Sequence, residues 1–233
     1  MQVTFKIKRY NPEQDSAPHW ESYQVEVEPK ERILDALLQI KRIQDGTFTF
    51  RYSCAHGVCG SDAMMINGIN RLACQTLIQD LNTSTIKVEP VRGMDVLKDL
   101  VTDFDSVFEN LEKVKPYLIN DKPAPSHERY QSIAERELFD DTTKCIMCGI
   151  CTTSCPSYWA NSNYLGPMAF VNAHRFIFDS RDDGAGERFS VVNDKDGVWR
   201  CHTIFNCTDA CPREINVTQA ISEVKNAVTF NKI

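Results

Sequence analysis

Val3, Phe5 and Ile7 alternate with Thr4, Lys6 and Lys8, the period-two pattern of a half-buried strand. Tyr23, Val25 and Val27 repeat that period after a polar stretch holding Asn11-Pro12. The pattern then changes. Between Glu31 and Gln44, Ile33, Leu34, Leu37, Leu38 and Ile40 fall on one helical face, and Asp45-Gly46 is a stop signal. Ala63 to Ile66 reads as a short strand, Asn67-Gly68 as a hairpin turn, and Ile86 to Val88 as a closing strand before Pro90. The first hundred residues are expected to form a small sheet packed on one helix, with a cysteine loop in the middle.

Strand signals are scarce after residue 100. Val96 to Val114 reads as a helix, with Leu97, Leu100, Val101, Phe104, Val107, Phe108 and Leu111 on one face. A domain boundary is expected near 95–105. Residues 120–126 look like an exposed loop, and Met168 to Phe178 and Thr218 to Phe230 read as helices. Gly184-Ala185-Gly186 is expected to be loop, and Arg181-Asp182-Asp183 a solvated turn or an interface patch.

Composition narrows the class. The 233 residues are 42% hydrophobic and 25% charged, enough chain for one or two domains with a real core. The net charge of −6, from 26 basic and 32 acidic residues, argues against a general nucleic-acid binder. The chain opens directly in a strand pattern, so no signal peptide is expected, and no apolar run is long enough to span a membrane. Ten cysteines are unusual. They fall in three groups, within 54–74, 145–155 and 201–211. Clustered cysteines in a reduced compartment point to metal ligands rather than disulfides.

The first group is Cys54, Cys59 and Cys74, spaced C-x4-C-x2-D-x11-C with Asp62 in the third position. Plant-type 2Fe–2S proteins carry C-x4-C-x2-C and a distant fourth cysteine. Two tetrahedral irons sharing two sulfides need four protein ligands, and a carboxylate oxygen can serve as the harder one. The alternative for Asp62 is an ordinary solvated loop residue. His56 lacks the paired spacing a Rieske site needs.

The second group, Cys145-x2-Cys148-x2-Cys151-x3-Cys155-Pro156, is the bacterial ferredoxin run, whose fourth cysteine serves the other cluster. The third, Cys201-x5-Cys207-x3-Cys211-Pro212, looks like a degenerate copy with Ile204 where the second cysteine would stand. Exchange of the last cysteines then gives Cys145, Cys148, Cys151 and Cys211 to a 4Fe–4S cluster. Cys155, Cys201 and Cys207 hold a 3Fe–4S cluster, with Ile204 filling the place of the missing iron. Ten cysteines and Asp62 fill every ligand position with none left over. Zinc, which takes closed sets of four, does not fit these spacings. With no flavin, nicotinamide or nucleophile–base motif, the chain is expected to move electrons between partners.

At these motifs the chain resembles the iron–sulfur subunits of succinate dehydrogenase and fumarate reductase, most closely those of succinate dehydrogenase, respiratory complex II. The resemblance spans essentially the whole length. It rests on Arg9-Tyr10-Asn11-Pro12, Ser53 to Ser61, Leu72-Ala73-Cys74, Cys145 to Trp159, Phe178 to Asp182, and Arg200 to Pro212. Asp62 in the third ligand position favours the dehydrogenase. The resemblance implies an α+β fold, with a β-grasp ferredoxin-like domain over 1–100 and an all-α ferredoxin domain over 101–233. It implies a flavoprotein partner bearing FAD and membrane anchor subunits, with or without haem b. Electrons from succinate would pass from FAD through the 2Fe–2S, 4Fe–4S and 3Fe–4S clusters to a quinone, linking the tricarboxylic acid cycle to respiration. The expected location is the cytoplasmic face of a bacterial inner membrane, peripheral through the anchor.

By motif position the quinone site would involve Pro156, Ser157, Trp159, His202 and Ile204. Ala160 stands where many relatives carry a second tryptophan that contacts the quinone. The nearest rival is a quinol:fumarate reductase subunit. A free ferredoxin-like carrier and a structural zinc protein are the rivals from other classes.

Overall fold

The computed structural model describes residues 1–230; residues 231–233, at the end of the expected second domain, lie outside the described residues. The chain runs through β1 (Gln2–Arg9), β2 (His19–Glu26), α1 (Ile33–Gln39), β3 (Ala63–Ile66), β4 (Ile69–Leu72), β5 (Thr85–Glu89), β6 (Val96–Lys98) and β7 (Val101–Thr102). Helices follow: α2 (Asp105–Lys113), α3 (Ile133–Glu137), α4 (Ile150–Thr153), α5 (Pro156–Ala160), α6 (Pro167–Ile177), α7 (Ala185–Val192), α8 (Asn206–Asp209) and α9 (Val217–Phe230). Two compact units result. The first is Met1–Phe104 with Ile146–Ser154, and the second is Asp105–Cys145 with Cys155 onward.

The first unit is built on a five-stranded mixed sheet in the order β2-β1-β5-β3-β4. β1 pairs antiparallel with β2, Phe5 opposite Tyr23, and parallel with β5, Phe5 opposite Ile86. Val3, Phe5, Ile7, Ile86 and Val88 point to one face and are buried, together with Ile33, Leu34, Leu37 and Ile40 of the helix the sheet grips. Each such side chain contributes about 1.5–3 kcal/mol by leaving water. This is the β-grasp arrangement.

The helix expected from Glu31 to Gln44 forms as α1 and a closing π turn over Ile40–Gln44. Asp45 ends it because its carboxylate is drawn to Arg9 and accepts from the Tyr23 hydroxyl at 2.8 Å. The hairpin at Asn67-Gly68 forms with both residues left-handed, φ 49° and 83°.

The expected helix over Val96–Val114 is corrected. Only Asp105–Lys113 is helical, while 96–102 fold as the small hairpin β6–β7. Asp99 decides this. It is buried and left-handed, and its carboxylate accepts from Arg9 Nε at 2.9 Å, Tyr10 N at 3.0 Å and Thr49 N at 2.8 Å. A helix would forfeit all three bonds and leave the Arg9 guanidinium unpaired at this end.

The second unit is helical. α6 is its axis: ten of its eleven residues are buried, and it packs on α9, α7 and α2. Two expectations for this region are corrected. Residues 185–192 are the helix α7, with Gly184 at its N-cap. Asp182 is not solvated: its side chain is fully buried against Arg188.

Candidate metal centres

The loop carrying the first cysteine group is wound by left-handed residues, Ala55, Gly57 and Gly60, with φ 57°, 70° and 69°. This winding turns backbone N–H groups onto sulfur. His56 N and Cys59 N each donate to Cys54 Sγ at 3.3 Å, and Ser61 Oγ lies 3.2 Å from Cys59 Sγ. The N–H groups of His56 and Val58 hold the Cys54 thiol down, at about 6. Such bonds favour the charged sulfur and tune a cluster toward reduction.

Asp62 is 2% exposed. Its Oδ2 accepts from Cys74 N at 2.5 Å, while Oδ1 is buried without a hydrogen-bond partner. Burial, and then the Asp62 carboxylate, push the buried Cys74 thiol up to about 11. A buried carboxylate oxygen with no donor, beside a thiol disfavoured as thiolate, is a donor set that calls for a cation. Cys54, Cys59, Asp62 and Cys74 therefore fit a 2Fe–2S cluster in donor type and in electrostatics.

The second and third groups share one local backbone. In the run from Cys145, Met147 and Gly149 are left-handed, φ 54° and 73°, and α4 follows at once. In the run from Cys201, Thr203 and Phe205 are left-handed, φ 55° and 70°, and α8 follows at once. The two runs are copies in conformation as well as in spacing, and Ile204 occupies the place that Cys148 occupies in its own run. Cys148 and Cys151 belong to the first unit, Cys145 and Cys211 to the second. Cys145 Sγ accepts from the Asn172 amide at 3.6 Å.

Cys155, Cys201 and Cys207 line one small cavity, along with Pro156, Ser157, His202 and Ile204. Burial pushes the Cys155 and Cys207 thiols up; Cys201 raises both further, and Cys155 also raises Cys207. Opposing this, the N–H groups of Tyr158 and Ser157 at the start of α5 face Cys155, and Thr218 Oγ1 lies 3.6 Å from Cys207 Sγ. Three thiols around one cavity, with the apolar Ile204 beside them, suit a cluster with three protein ligands. Trp159 is not in the lining; it is 39% exposed.

No disulfide links any of the ten cysteines. Among the described residues, no three His, Cys, Asp or Glu side chains are grouped to hold a single metal ion. Cluster ligands stand further apart, since sulfides and several irons lie between them. Asn172 and Thr218 were not singled out by motif. The available signal was a polar residue on the buried face of each apolar helix, α6 and α9.

Family models of iron–sulfur domains span all three cysteine groups. Residues 4–109 match a family model described as a 2Fe-2S iron-sulfur cluster binding domain, and residues 137–212 one described as a 4Fe-4S dicluster domain. The chain is 43% identical over 232 residues to the mitochondrial succinate dehydrogenase (ubiquinone) iron-sulfur subunit of Candida glabrata, covering 98% of this chain and 92% of that one. It is 42% identical over 224 residues to the succinate dehydrogenase iron-sulfur subunit of Paracoccus denitrificans, covering 95% and 86%. A chain of the Mycobacterium smegmatis Sdh1 complex in its apo form superposes with a TM-score of 0.89 at 25% identity, covering 99% of this chain and 97% of that one.

Proposed function

The chain belongs to the family of succinate dehydrogenase iron–sulfur subunits, and from that premise we propose how its residues carry electrons from succinate to a quinone. It is an electron-transfer subunit of an oxidoreductase complex, and in this reading the substrate chemistry lies on a partner. Bound iron–sulfur clusters supply reversible one-electron chemistry. Cys54, Cys59, Asp62 and Cys74 hold the 2Fe–2S cluster next to an FAD-bearing flavoprotein. Cys145, Cys148, Cys151 and Cys211 hold the 4Fe–4S cluster. Cys155, Cys201 and Cys207 hold the 3Fe–4S cluster next to the quinone. The functional halves are 1–100 and 101–233, a division that follows ligand sets where the compact units follow packing.

One observation carries the exit of the wire. The cavity of Cys155, Cys201 and Cys207 is rimmed by exposed His202 and Ile204. A redox group held there is within reach of an acceptor at the surface. Pro156 and Ser157 line the same cavity and complete the quinone side, whereas Trp159 is not part of that lining. No helix among the described residues is long and apolar enough to cross a membrane. In this reading the chain attaches to the cytoplasmic face of a bacterial inner membrane through anchor subunits, with or without haem b. The relatives' names favour succinate oxidation over fumarate reduction.

Electron paramagnetic resonance of the anaerobically purified complex tests this, together with an iron count. Three clusters bring about nine irons per chain. A 3Fe–4S signal is expected in the oxidised complex. It should vanish on reduction as a 2Fe–2S signal appears. Absence of the oxidised-state signal, or a metal content dominated by zinc, overturns the assignment.

A further inference from the structure

Gly60 lies flat against Cys148. A Cβ added to Gly60 would stand 2.4 Å from Cys148 Cβ and 2.8 Å from its Cα. No other side chain fits there, and the left-handed φ of 69° also favours glycine. Both residues belong to the first unit. Gly60 follows Cys59 directly and stands two residues before Asp62, so it is part of the 2Fe–2S loop. Cys148 is a ligand of the 4Fe–4S set.

Two further contacts fasten the segment 146–154 to the rest of this unit. The Asn70 amide on β4 donates to Thr153 Oγ1 and to Ser154 Oγ, both at 3.1 Å. The Phe104 ring presses on Gly149, where a Cβ would stand 2.4 Å from Cε1. Three separate devices thus hold the second cysteine run at van der Waals distance from the first loop. Local folding of the 2Fe–2S loop does not require Cys148 to be there, since its own N–H groups satisfy its sulfurs.

We propose that Gly60 is a positioning residue for electron transfer: its bare α-carbon lets the 2Fe–2S loop touch Cys148, and this contact is the crossing point to the 4Fe–4S cluster. The proposal rests on the function given above. One electron leaves the donor cluster and one arrives on the acceptor; no bond forms or breaks and no proton moves. Tunnelling falls exponentially with the gap, and atoms in contact couple better than atoms apart. A methyl group at Gly60 forces the two backbones apart, because the atoms it meets belong to the Cys148 main chain and Cβ rather than to a flexible side-chain end.

The test compares Gly60→Ala with Gly68→Ala in the assembled complex. Gly68 is also left-handed, φ 83°, but a Cβ there meets no atom within 4 Å. The two variants share backbone strain and differ in contact. Two quantities are read: the microwave-power saturation of the reduced 2Fe–2S signal, and the freeze-quench rate at which electrons from succinate pass beyond it. Gly60→Ala should keep both clusters, lose part of the relaxation enhancement and slow the onward step several-fold. Gly68→Ala should match the parent. Equal relaxation and rate in Gly60→Ala and the parent, with both clusters present, overturn the proposal. Absence of either cluster signal from the parent complex overturns the functional reading instead. Should Gly60→Ala lose a cluster, Asn70→Ala decides. It frees 146–154 from β4 without touching a ligand, and a parental onward rate there overturns the proposal.

Discussion

Arg188 and Asp182 form an ion pair at 2.6 Å with both side chains fully buried. Arg188 also donates to the carbonyls of Val114 at 3.1 Å, Lys115 at 3.0 Å and Tyr117 at 2.8 Å. Asp182 accepts from Ile119 N at 2.9 Å and Gly184 N at 2.7 Å. The pair therefore satisfies the backbone of a connector that has no secondary structure of its own. Removing one partner leaves a buried charge uncompensated, so Arg188→Met or Asp182→Leu should each cost about 3–5 kcal/mol. The double variant should cost less than the two together. Thermal melting of the complex reads all three, and additive losses would show that the residues act independently.

The same pair explains a misreading of the sequence. A charged residue at the buried position 188 breaks the apolar periodicity of α7, so residues 185–192 carry no helical signal and Asp182 looks like a solvated turn residue. The hairpin at 96–102 was hidden for a related reason. Its apolar residues match a helical face, and the bonds that overrule the pattern join Asp99 to residues about 50 and 90 positions away. β1, β2, β3, β5, α1, α6 and α9 were legible because their periods are local and their buried faces are mostly apolar. The cysteine runs were legible because cluster ligation is a matter of short spacing. The contact of Gly60 with Cys148 was not, since nothing in either motif refers to the other.

Asp62 offers a direct test at the first centre. One oxygen holds the Cys74 N–H and the other is buried without a partner. Asp62→Ala should abolish or strongly alter the reduced 2Fe–2S signal. Asp62→Cys should retain the iron and shift the reduction potential, since thiolate replaces a harder oxygen donor. An unchanged spectrum and potential in Asp62→Ala would show that the carboxylate is not a ligand.

His174 makes the second unit sensitive to acid. It is 2% exposed on α6, with Nε2 2.6 Å from Glu223 Oε2 on α9 and Nδ1 3.3 Å from Thr142 Oγ1. Burial holds its pKa below the ordinary 6.5, although Glu223 and Asp141 pull the other way. The unfolded chain then takes the proton at a higher pH than the folded one. Stability from this site is complete above about 6.5 and is lost as pH falls below that value toward the folded pKa. His174→Gln should flatten the fall in melting temperature between neutral and mildly acid pH. Clusters are acid-labile in both proteins, so the difference between them isolates the histidine. Parallel curves would assign the acid sensitivity elsewhere.

Ile204 tests the third centre. It stands three residues after Cys201, as Cys148 stands three after Cys145. The flanking left-handed residues have nearly the same φ in both runs, 55° and 70° against 54° and 73°. A thiol introduced at 204 thus inherits the local frame that presents Cys148. The position is 48% exposed and borders the cavity of Cys155, Cys201 and Cys207, so the smaller side chain costs little packing. Ile204→Cys should raise the iron content by about one per chain, the difference between a 3Fe and a 4Fe cluster. The oxidised-state signal should fall in proportion, because the added iron converts the cluster that produces it. Quinone reduction should slow while flavin-level oxidation of succinate stays unchanged, since only the last step of the wire is altered. A spectrum and iron count identical to the parent would mean that Ile204 does not face the missing corner, and the three-ligand assignment would fall with it.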